Sequence, residues 1–291
     1  MILLALDTAT EACSVALQVG GERLVDHRVE PRRHARLILP MIDTLLAEAG
    51  IARSALDGVA FGRGPGSFTG VRVAAAVVQG IALGLDRGVV GVSTLRTIAE
   101  GCRREHGDTA VGVALDARLD EVYWGAFVST SNGPMLACVT ERACAPEAIA
   151  VEDAEHGRGD ERARRESRAA GREEPTSEGE SGPASGGPGA CRPASGGPDR
   201  RTEANEGVSR VSRWHLAGAG AERYAETLTA TLGLAPDAVR AGRLPNAHDT
   251  LALALPEALA GRFSPPESAV PVYLRERVAL TEEERRASGG R

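Results

Sequence analysis

A run of 56 consecutive residues, 152–207, contains no Val, Ile, Leu, Met, Phe, Trp or Tyr. A segment without large apolar side chains cannot build a hydrophobic core, and this one holds 13 acidic residues and nine arginines. It also repeats Ala-Ser-Gly-Gly-Pro at 184–188 and 194–198. This composition is typical of disordered chain. The sequence therefore predicts a disordered insertion over 152–207 within an otherwise folded protein.

Charge and composition exclude several functional classes. All 34 basic residues are arginines, so chemistry that needs a lysine, such as a P-loop phosphate clamp or a Schiff base, is absent. The net charge of −6 argues against a broad basic face for nucleic acid. Five cysteines without a Cys-x-x-Cys pair fit a reducing cytoplasm and give no zinc signature. No window has the length of a membrane span, and the apolar start breaks at Asp7, which predicts a buried strand and not a signal peptide.

Hydrophobic periodicity in the first hundred residues predicts the element order βββαβαβα. Pro40 requires the first helix either to start only a few residues earlier or to kink. The predicted strands are 2–6, 13–19, 24–29, 58–61 and 89–92, and the predicted helices are 37–49, 70–83 and 94–104.

A similar pattern then restarts. Its predicted strands are 111–115, 122–128, 135–140 and 215–217, and its predicted helices are 222–232 and 249–259. Each of the two units opens with a strand that ends in an aspartate, Asp7 or Asp116. We therefore predict an α/β protein with a duplicated RNase H-like unit, which is the actin-like (ASKHA) fold. The predicted domains are 1–100, then 101–151 with 208–280, followed by a tail at 281–291.

A glycine-rich loop, 62–72, lies between a predicted strand and a predicted helix, where backbone N–H groups can hold an anion. Its spacing fits no standard phosphate fingerprint, because the Rossmann pattern requires a glycine at Thr69 and a P-loop requires a lysine. Ser67 is no nucleophile elbow, since Pro65 stands where that motif has glycine. The residues alone favour a tight structural turn with Thr69 as the helix N-cap.

Two other loops have an interpretation as nucleotide-binding elements. Asp7-Thr8-Ala9-Thr10 resembles the first phosphate loop of actin-like ATPases, which makes Asp7, Thr8 and Thr10 candidate cofactor-binding residues of a vestigial loop. The segment 218–220, Gly-Ala-Gly, fits an adenosine loop and the start of a helix equally well. An alternative function is therefore an actin-like ATPase or small-molecule kinase that acts on its own.

Candidate metal ligands are isolated in the sequence. A helical histidine pair requires a second histidine at position 38, four residues after His34, and isoleucine stands there. We therefore predict no metal site, and a capping or interface role for His34. The carboxylates Asp116, Asp120 and Glu121 fit a solvated hairpin turn. The absence of His-x-x-x-His and His-Glu-x-x-His also excludes a metallopeptidase.

The first two helices carry more apolar surface than one sheet face requires. The helix 70–83 is apolar nearly all round, and the helix 37–49 has two adjacent apolar stripes. The simpler explanation is that this apolar surface is buried within the chain's own domain, and the alternative is that it binds a partner subunit. The predicted partner interface is Leu37, Met41, Leu45, Val73, Val77 and Ile81, with Ile38, Ile42 and Leu46 as the alternative stripe of the first helix.

Several motifs together resemble the TsaB (YeaZ-like) family. The most specific is the string formed by Gly64, Pro65, Gly66, Ser67, Phe68, Thr69, Gly70, Val71 and Arg72. The other motifs that carry the resemblance are 4–8, His34 with 39–42, 92–95, 116–118 with 121–123, and 271–275. The resemblance extends from residue 2 to about residue 280 and omits the insertion.

The resemblance implies a bacterial cytoplasmic protein needed to form N6-threonylcarbamoyladenosine at position 37 (t6A37) of tRNAs that read codons beginning with adenine. It implies a non-catalytic subunit with no catalytic residues, no metal and no cofactor of its own, and it leaves open ATP or ADP at the junction of a complex. The implied partners are a TsaD-type catalytic subunit, docked through the two N-terminal helices, and a TsaE-type ATPase. From the charge, the apolar helices and the hydropathy, we also expect indirect contact with tRNA, a homodimer when the chain is alone, and no membrane association.

Overall fold

The computed structural model describes residues 1–129, 133–149 and 213–275. The predicted insertion at 152–207 and the predicted tail at 281–291 lie outside the described residues.

The first sheet has five strands in the order β3-β2-β1-β4-β5. β1, β2 and β3 form the predicted antiparallel meander, whereas β4 and β5 join β1 as parallel neighbours. The strands are β1 Ile2–Asp7, β2 Ala12–Val19, β3 Glu22–Val29, β4 Gly58–Gly62 and β5 Gly88–Val92.

Three helices belong to this part of the chain: α1 His34–Glu48, α2 Phe68–Leu85 and α3 Thr94–His106. α1 begins at His34, six residues before Pro40, so Pro40 lies inside the helix and beyond its first turn, where its missing N–H removes one helical hydrogen bond. The prediction of Thr69 as the N-cap of α2 is wrong, because α2 begins at Phe68 and the Ser67 Oγ accepts the Gly70 N–H at 3.2 Å. A serine hydroxyl satisfies this otherwise orphaned donor.

The second sheet repeats the pairing of the first. Its order is β11-β10-β6-β7-β8, with β9 also on β7. β6 and β7 are antiparallel like β1 and β2, and β10 and β11 extend β6 in parallel as β4 and β5 extend β1. The strands are β6 Ala110–Arg118, β7 Glu121–Val128, β8 Leu136–Ala137, β9 Arg142–Cys144, β10 His215–Ala217 and β11 Val239–Arg240.

Two predicted elements of this half differ from the structure. The strand expected at 135–140 is only β8, because side chains of α3 bind the Met135 backbone: Glu100 accepts its N–H at 2.8 Å and Arg96 donates to its carbonyl at 2.6 Å. The helix expected at 222–232 is divided into α4, Ala219–Arg223, and α5, Ala225–Thr231, since Tyr224 leaves the helical conformation.

The last helix of each half packs on the sheet of the other half. α3 buries Leu95 and Ile98 against Val111 and Val113 of β6. The last helix, α6 (Ala247–Leu259), buries Leu251 and neighbours against the first sheet. The opposite face of the first sheet is covered by α1 and α2. Two sheets of matching topology with exchanged helices make up a duplicated RNase H-like fold.

Candidate functional site

The motifs that are distant in sequence meet at the carboxyl ends of the parallel strands β1, β4 and β5. The loop after β1 packs on the glycine-rich loop: Thr8 Oγ1 donates to the Gly70 carbonyl at 2.7 Å, and the Ser67 N–H donates to the Ala9 carbonyl at 2.7 Å. A Cβ on Gly66 or Gly70 would collide with the carbonyl of Ala9 or Thr8, respectively. These glycines are therefore required by the close approach of two protein loops.

Asp7 is fully buried at the centre of this contact. Its Oδ1 accepts the Ala9 N–H at 2.8 Å, and its Oδ2 lies 3.5 Å from the Thr94 hydroxyl at the start of α3. The absence of a side chain on Gly62 makes room for the carboxylate. Burial raises the pKa of Asp7 to about 6, although these two hydrogen bonds act in the opposite direction. The structure thus places Asp7 and Thr8 in internal contacts, while Thr10 accepts the Ala12 N–H at 3.3 Å.

The glycine-rich loop also binds the start of α3 and the chain's later segment. The Thr94 N–H donates to the Gly64 carbonyl at 3.0 Å, and the Val272 N–H donates to the Arg63 carbonyl at 2.8 Å. Gly64 has φ +96°, a conformation that side-chain-bearing residues rarely adopt. The glycine-rich motif therefore joins three segments: the loop after β1, the start of α3 and the segment that contains Val272. The spacing of residues in the motif gave no indication that Val272 binds it.

Part of the motif remains at the surface. Phe68 is 63% exposed and Tyr273 is 54% exposed. The Arg72 guanidinium lies over both rings, 3.3 Å from the Phe68 centroid and 5.0 Å from the Tyr273 centroid. Two of the family-like motifs, 64–72 and 271–275, thus meet in one aromatic–arginine contact.

The carboxylates of the β6–β7 hairpin are paired with arginines. Arg223 donates to Asp116 at 2.8 Å and lies 3.8 Å from Asp120. Arg275 donates through Nε to Glu121 at 3.0 Å. Residues 118–120 all have positive φ, so the turn is strained as well as ion-paired.

The Gly-Ala-Gly segment 218–220 fits the start of a helix. Side chains at Gly218 or Gly220 would clash with the Ala114 carbonyl of β6. These glycines therefore allow α4 to pack directly on the strand.

His34 is buried at the start of α1, and its Nε2 has no hydrogen-bond partner among the described residues. Within 1–129, 133–149 and 213–275, no group of three or more His, Cys, Asp or Glu residues has the arrangement of a metal site. The absence of a metal site remains a prediction for the chain as a whole.

The predicted partner interface is only partly at the surface. Met41 and Leu45 lie in the chain's own core, as do Ile38, Ile42 and Leu46 of the alternative stripe. Both stripes of α1 are therefore used internally, because α1 packs against β2 and α2 at once. Leu37, Val73, Val77 and Ile81 are half-buried.

The exposed apolar residues of the two helices are different ones from those predicted. Apart from Phe68 at the start of α2 and the alanines Ala35 and Ala47 of α1, they are Leu39 and Pro40 of α1, and Ala76 and Leu83 of α2. We call these four residues, with half-buried Val73, Val77 and Ile81, the α1/α2 surface. In the described part of the chain α2 alone is long and apolar enough to cross a membrane by length and composition, and a third of it is buried. The expectation from the sequence that no window has the length of a membrane span is therefore wrong for α2, although the core helix of a soluble protein passes the same test.

Comparison with known proteins supports the family assigned from the motifs. The family model described as "TsaD: tRNA N6-adenosine threonylcarbamoyltransferase" matches residues 28–167. The tRNA threonylcarbamoyladenosine biosynthesis protein TsaB of Escherichia coli (strain K12) is 45% identical over 149 residues, which are 51% of this chain and 64% of that protein. The TsaB protein of Haemophilus influenzae is 48% identical over 128 residues, 44% of this chain and 54% of that protein. The chain thus spans about half to two thirds of the length of these relatives.

A solved structure gives fuller coverage. YeaZ from Pseudomonas aeruginosa is 37% identical with a TM-score of 0.68, and the match covers 94% of this chain and 99% of that one. A second structure from that organism, described as an uncharacterized protein with similarity to peptidase YEAZ, matches equally well, with a TM-score of 0.69.

Proposed function

Because the chain belongs to the TsaB (YeaZ) family, we propose that it is a non-catalytic subunit in the formation of t6A37 in tRNAs that read codons beginning with adenine. The observation that carries the proposal is that the motif loops bind other parts of this chain. Thr8, Ser67 and Gly70 bind other segments of this chain, and Asp7 is fully buried. A nucleotide-hydrolysing loop would instead present such groups to a ligand.

The partner proposed is a TsaD-type catalytic subunit, docked on the α1/α2 surface. The surface presents Leu39, Ala76 and Leu83, and neither helix has an acidic residue in its first turn or a basic residue in its last. Apolar helical surface of this kind is typical of subunit interfaces. The match of residues 28–167 to the TsaD family model supports a related fold in the two partners.

The other parts of the proposal rest on the family resemblance, on the α1/α2 surface and on the charge of the chain. The free chain pairs with itself through the α1/α2 surface, and the TsaD-type subunit competes for it. A TsaE-type ATPase joins the complex, and ATP or ADP binds, if at all, at the junction between subunits. Contact with tRNA is indirect, because the net charge of −6 disfavours a direct phosphate interface.

Reconstitution of t6A formation from purified TsaD-type and TsaE-type proteins, tRNA and the threonylcarbamoyl donor tests the role. We expect modification only when this chain is added. The chain alone with Mg-ATP is expected to give no turnover. Metal-stimulated turnover that Asp7→Ala abolishes would instead favour an autonomous ATPase or kinase.

The interface is tested by Ala76→Glu. Ala76 is exposed, so a buried charge arises only when a partner covers it, and we expect co-elution with the TsaD-type subunit and tRNA modification to be lost together. Ala230→Glu is the matched control, since Ala230 is an exposed alanine on helix α5. Retained binding by a folded Ala76→Glu variant would contradict the interface. Val77 is a poorer probe, because it is half-buried in the chain's own core.

A further inference from the structure

A cavity of about 240 Å³ lies between edge strand β3, helix α3, the loop 242–246 and the start of α6. It contains no residue of the loop after β1 or of the glycine-rich motif. It is therefore separate from the contacts described above. Its lining is His27, Val29, Ile98, Gly101, Glu105, Gly242, Arg243, Leu244, Asn246 and Asp249.

The wall of the cavity carries balanced charges of both signs. Arg104 Nε donates to Asp249 Oδ1 at 2.6 Å, and its Nη2 donates to Asp249 Oδ2 at 3.0 Å and to Glu105 at 2.9 Å. Arg243 pairs with Glu105. Burial alone would raise the pKa of Asp249, but hydrogen bonds from His248 and Arg104 hold it below its usual value. The two carboxylates of the lining, Glu105 and Asp249, are thus balanced by Arg243 of the lining and by Arg104 behind it, so that these ion pairs carry no net charge.

One donor in the lining has no acceptor. The Arg243 Nε is buried, and no atom of the described residues accepts a hydrogen bond from it. Such a group is costly unless a ligand or water satisfies it. Asn246 also belongs to the lining, and its Oδ1 accepts the His248 N–H at 2.9 Å, which leaves its Nδ2 as a second donor.

Gly101 keeps the floor of the cavity open. It lies inside α3, where glycine is less favourable than alanine, and its backbone has ordinary helical φ. A Cβ at this position would lie 3.1 Å from Asp249 Oδ2, inside the polar end of the cavity. The glycine is therefore explained by the space that it leaves.

We infer that this cavity binds a small zwitterion of the α-amino acid class. Its carboxylate accepts from Arg243 Nε and Asn246 Nδ2, and its ammonium donates to the carboxylates of Glu105 and Asp249. A ligand that carries both charges leaves the neutral balance of the wall unchanged, whereas a simple anion or cation leaves one sign uncompensated. The inference does not depend on the proposed role in tRNA modification.

The full-length chain is titrated with L-alanine, and the ring signals of its histidines are followed by NMR. His27 lines the cavity and His106 does not, so we expect a saturable shift at His27 without one at His106. Acetate and methylammonium, each carrying one of the two charges, are expected to bind at least about tenfold more weakly. If acetate binds as tightly as L-alanine, the cavity is a simple anion site and the inference is overturned. The absence of a saturable His27 shift would also overturn it.

Two variants test the assignment of the residues. Gly101→Ala places a methyl group against Asp249 in the cavity, and Arg243→Gln removes the guanidinium. Each is expected to weaken L-alanine binding by at least about tenfold. Arg262→Gln is the control, because Arg262 also pairs with a glutamate, Glu257, but at an exposed surface away from the cavity lining. Circular dichroism checks folding. Unchanged affinity in folded Gly101→Ala protein overturns the inference even if Arg243→Gln does not fold.

Discussion

At the scale of single residues, the buried carboxyl group of Asp7 makes the stability of the protein depend on pH. Its pKa in the folded state is about 6, against 3.8 for an ordinary aspartate. The folded state therefore favours the protonated form, so this stabilisation is complete below pH 4 and is lost as the pH rises through 6. Two pKa units correspond to about 3 kcal/mol.

We expect Asp7→Asn to be more stable than the natural chain at pH 7.5, by up to about 3 kcal/mol, and equal to it near pH 4. The amide is uncharged and still accepts from the Ala9 N–H. Urea unfolding at the two pH values measures the difference. Asp86→Asn is the control, because Asp86 is exposed and its left-handed conformation tolerates asparagine. A stability difference that does not change with pH would contradict the assignment to Asp7.

At the scale of the element, two of the three glycines of helix α2 have opposite roles. A side chain at Gly70 would collide with the Thr8 carbonyl, whereas Gly80 has no atom within 4 Å of an added Cβ. We expect Gly70→Ala to destabilise the protein by about 1–3 kcal/mol, because the loop after β1 must move. Gly80→Ala should stabilise it by up to about 1 kcal/mol through helix propensity.

Thermal unfolding of Gly70→Ala and Gly80→Ala measures the effect of the same substitution on stability at two positions of one helix. Equal effects would show that the packing of the loop on α2 contributes no stability. The Thr8→Val variant provides a second measurement, because it removes the hydrogen bond to the Gly70 carbonyl and keeps the shape of the side chain. It should cost about 1 kcal/mol.

Elements whose sequence signal is local could be predicted, whereas features that depend on contacts between distant residues could not. The meander, α1, α3 and α6 were predicted because their apolar spacing is local. The burial of Met41 and Leu45 was not, because periodicity gives the width of an apolar stripe and not the elements that cover it. The strand at 135–140 failed because Glu100 and Arg96, distant in sequence, bind the Met135 backbone. Among the site residues, Asp7 and Gly66 were found from local motifs, but the contacts of Asp7 with Thr94 and of Gly66 with Ala9 needed the fold.

At the scale of the whole molecule, the two halves are joined through exchanged helices. α3 follows the first sheet in sequence and packs on the second, while α6 packs on the first. The two helices also contact each other through the ion pair of Arg104 with Asp249. Since each sheet needs a helix from the other half to complete its core, we expect the halves to unfold in one cooperative transition.

The sequence predicts that the insertion at 152–207 takes no part in this cooperative unit, because it has no large apolar residue to bury. Its deletion, with 150–151 and 208–212 kept as the connection, should leave the melting temperature unchanged or raise it by a few degrees. The reason is loop entropy: each halving of a flexible loop recovers about 0.6 kcal/mol, and about three halvings separate the two lengths. A gain of about 1–2 kcal/mol corresponds to about 2–8 °C in a protein of this size.

Calorimetry of the natural and shortened chains measures this effect. A chain in which 152–207 is replaced by a Gly-Ser segment of equal length is the control, and it should melt at the temperature of the natural protein, because loop length and apolar burial are both unchanged. A fall of more than about 5 °C in either variant would mean that the segment contributes folded contacts, since loss of a flexible loop cannot lower stability by about 1–2 kcal/mol. The prediction from composition would then be wrong, and the cooperative unit would include residues 152–207.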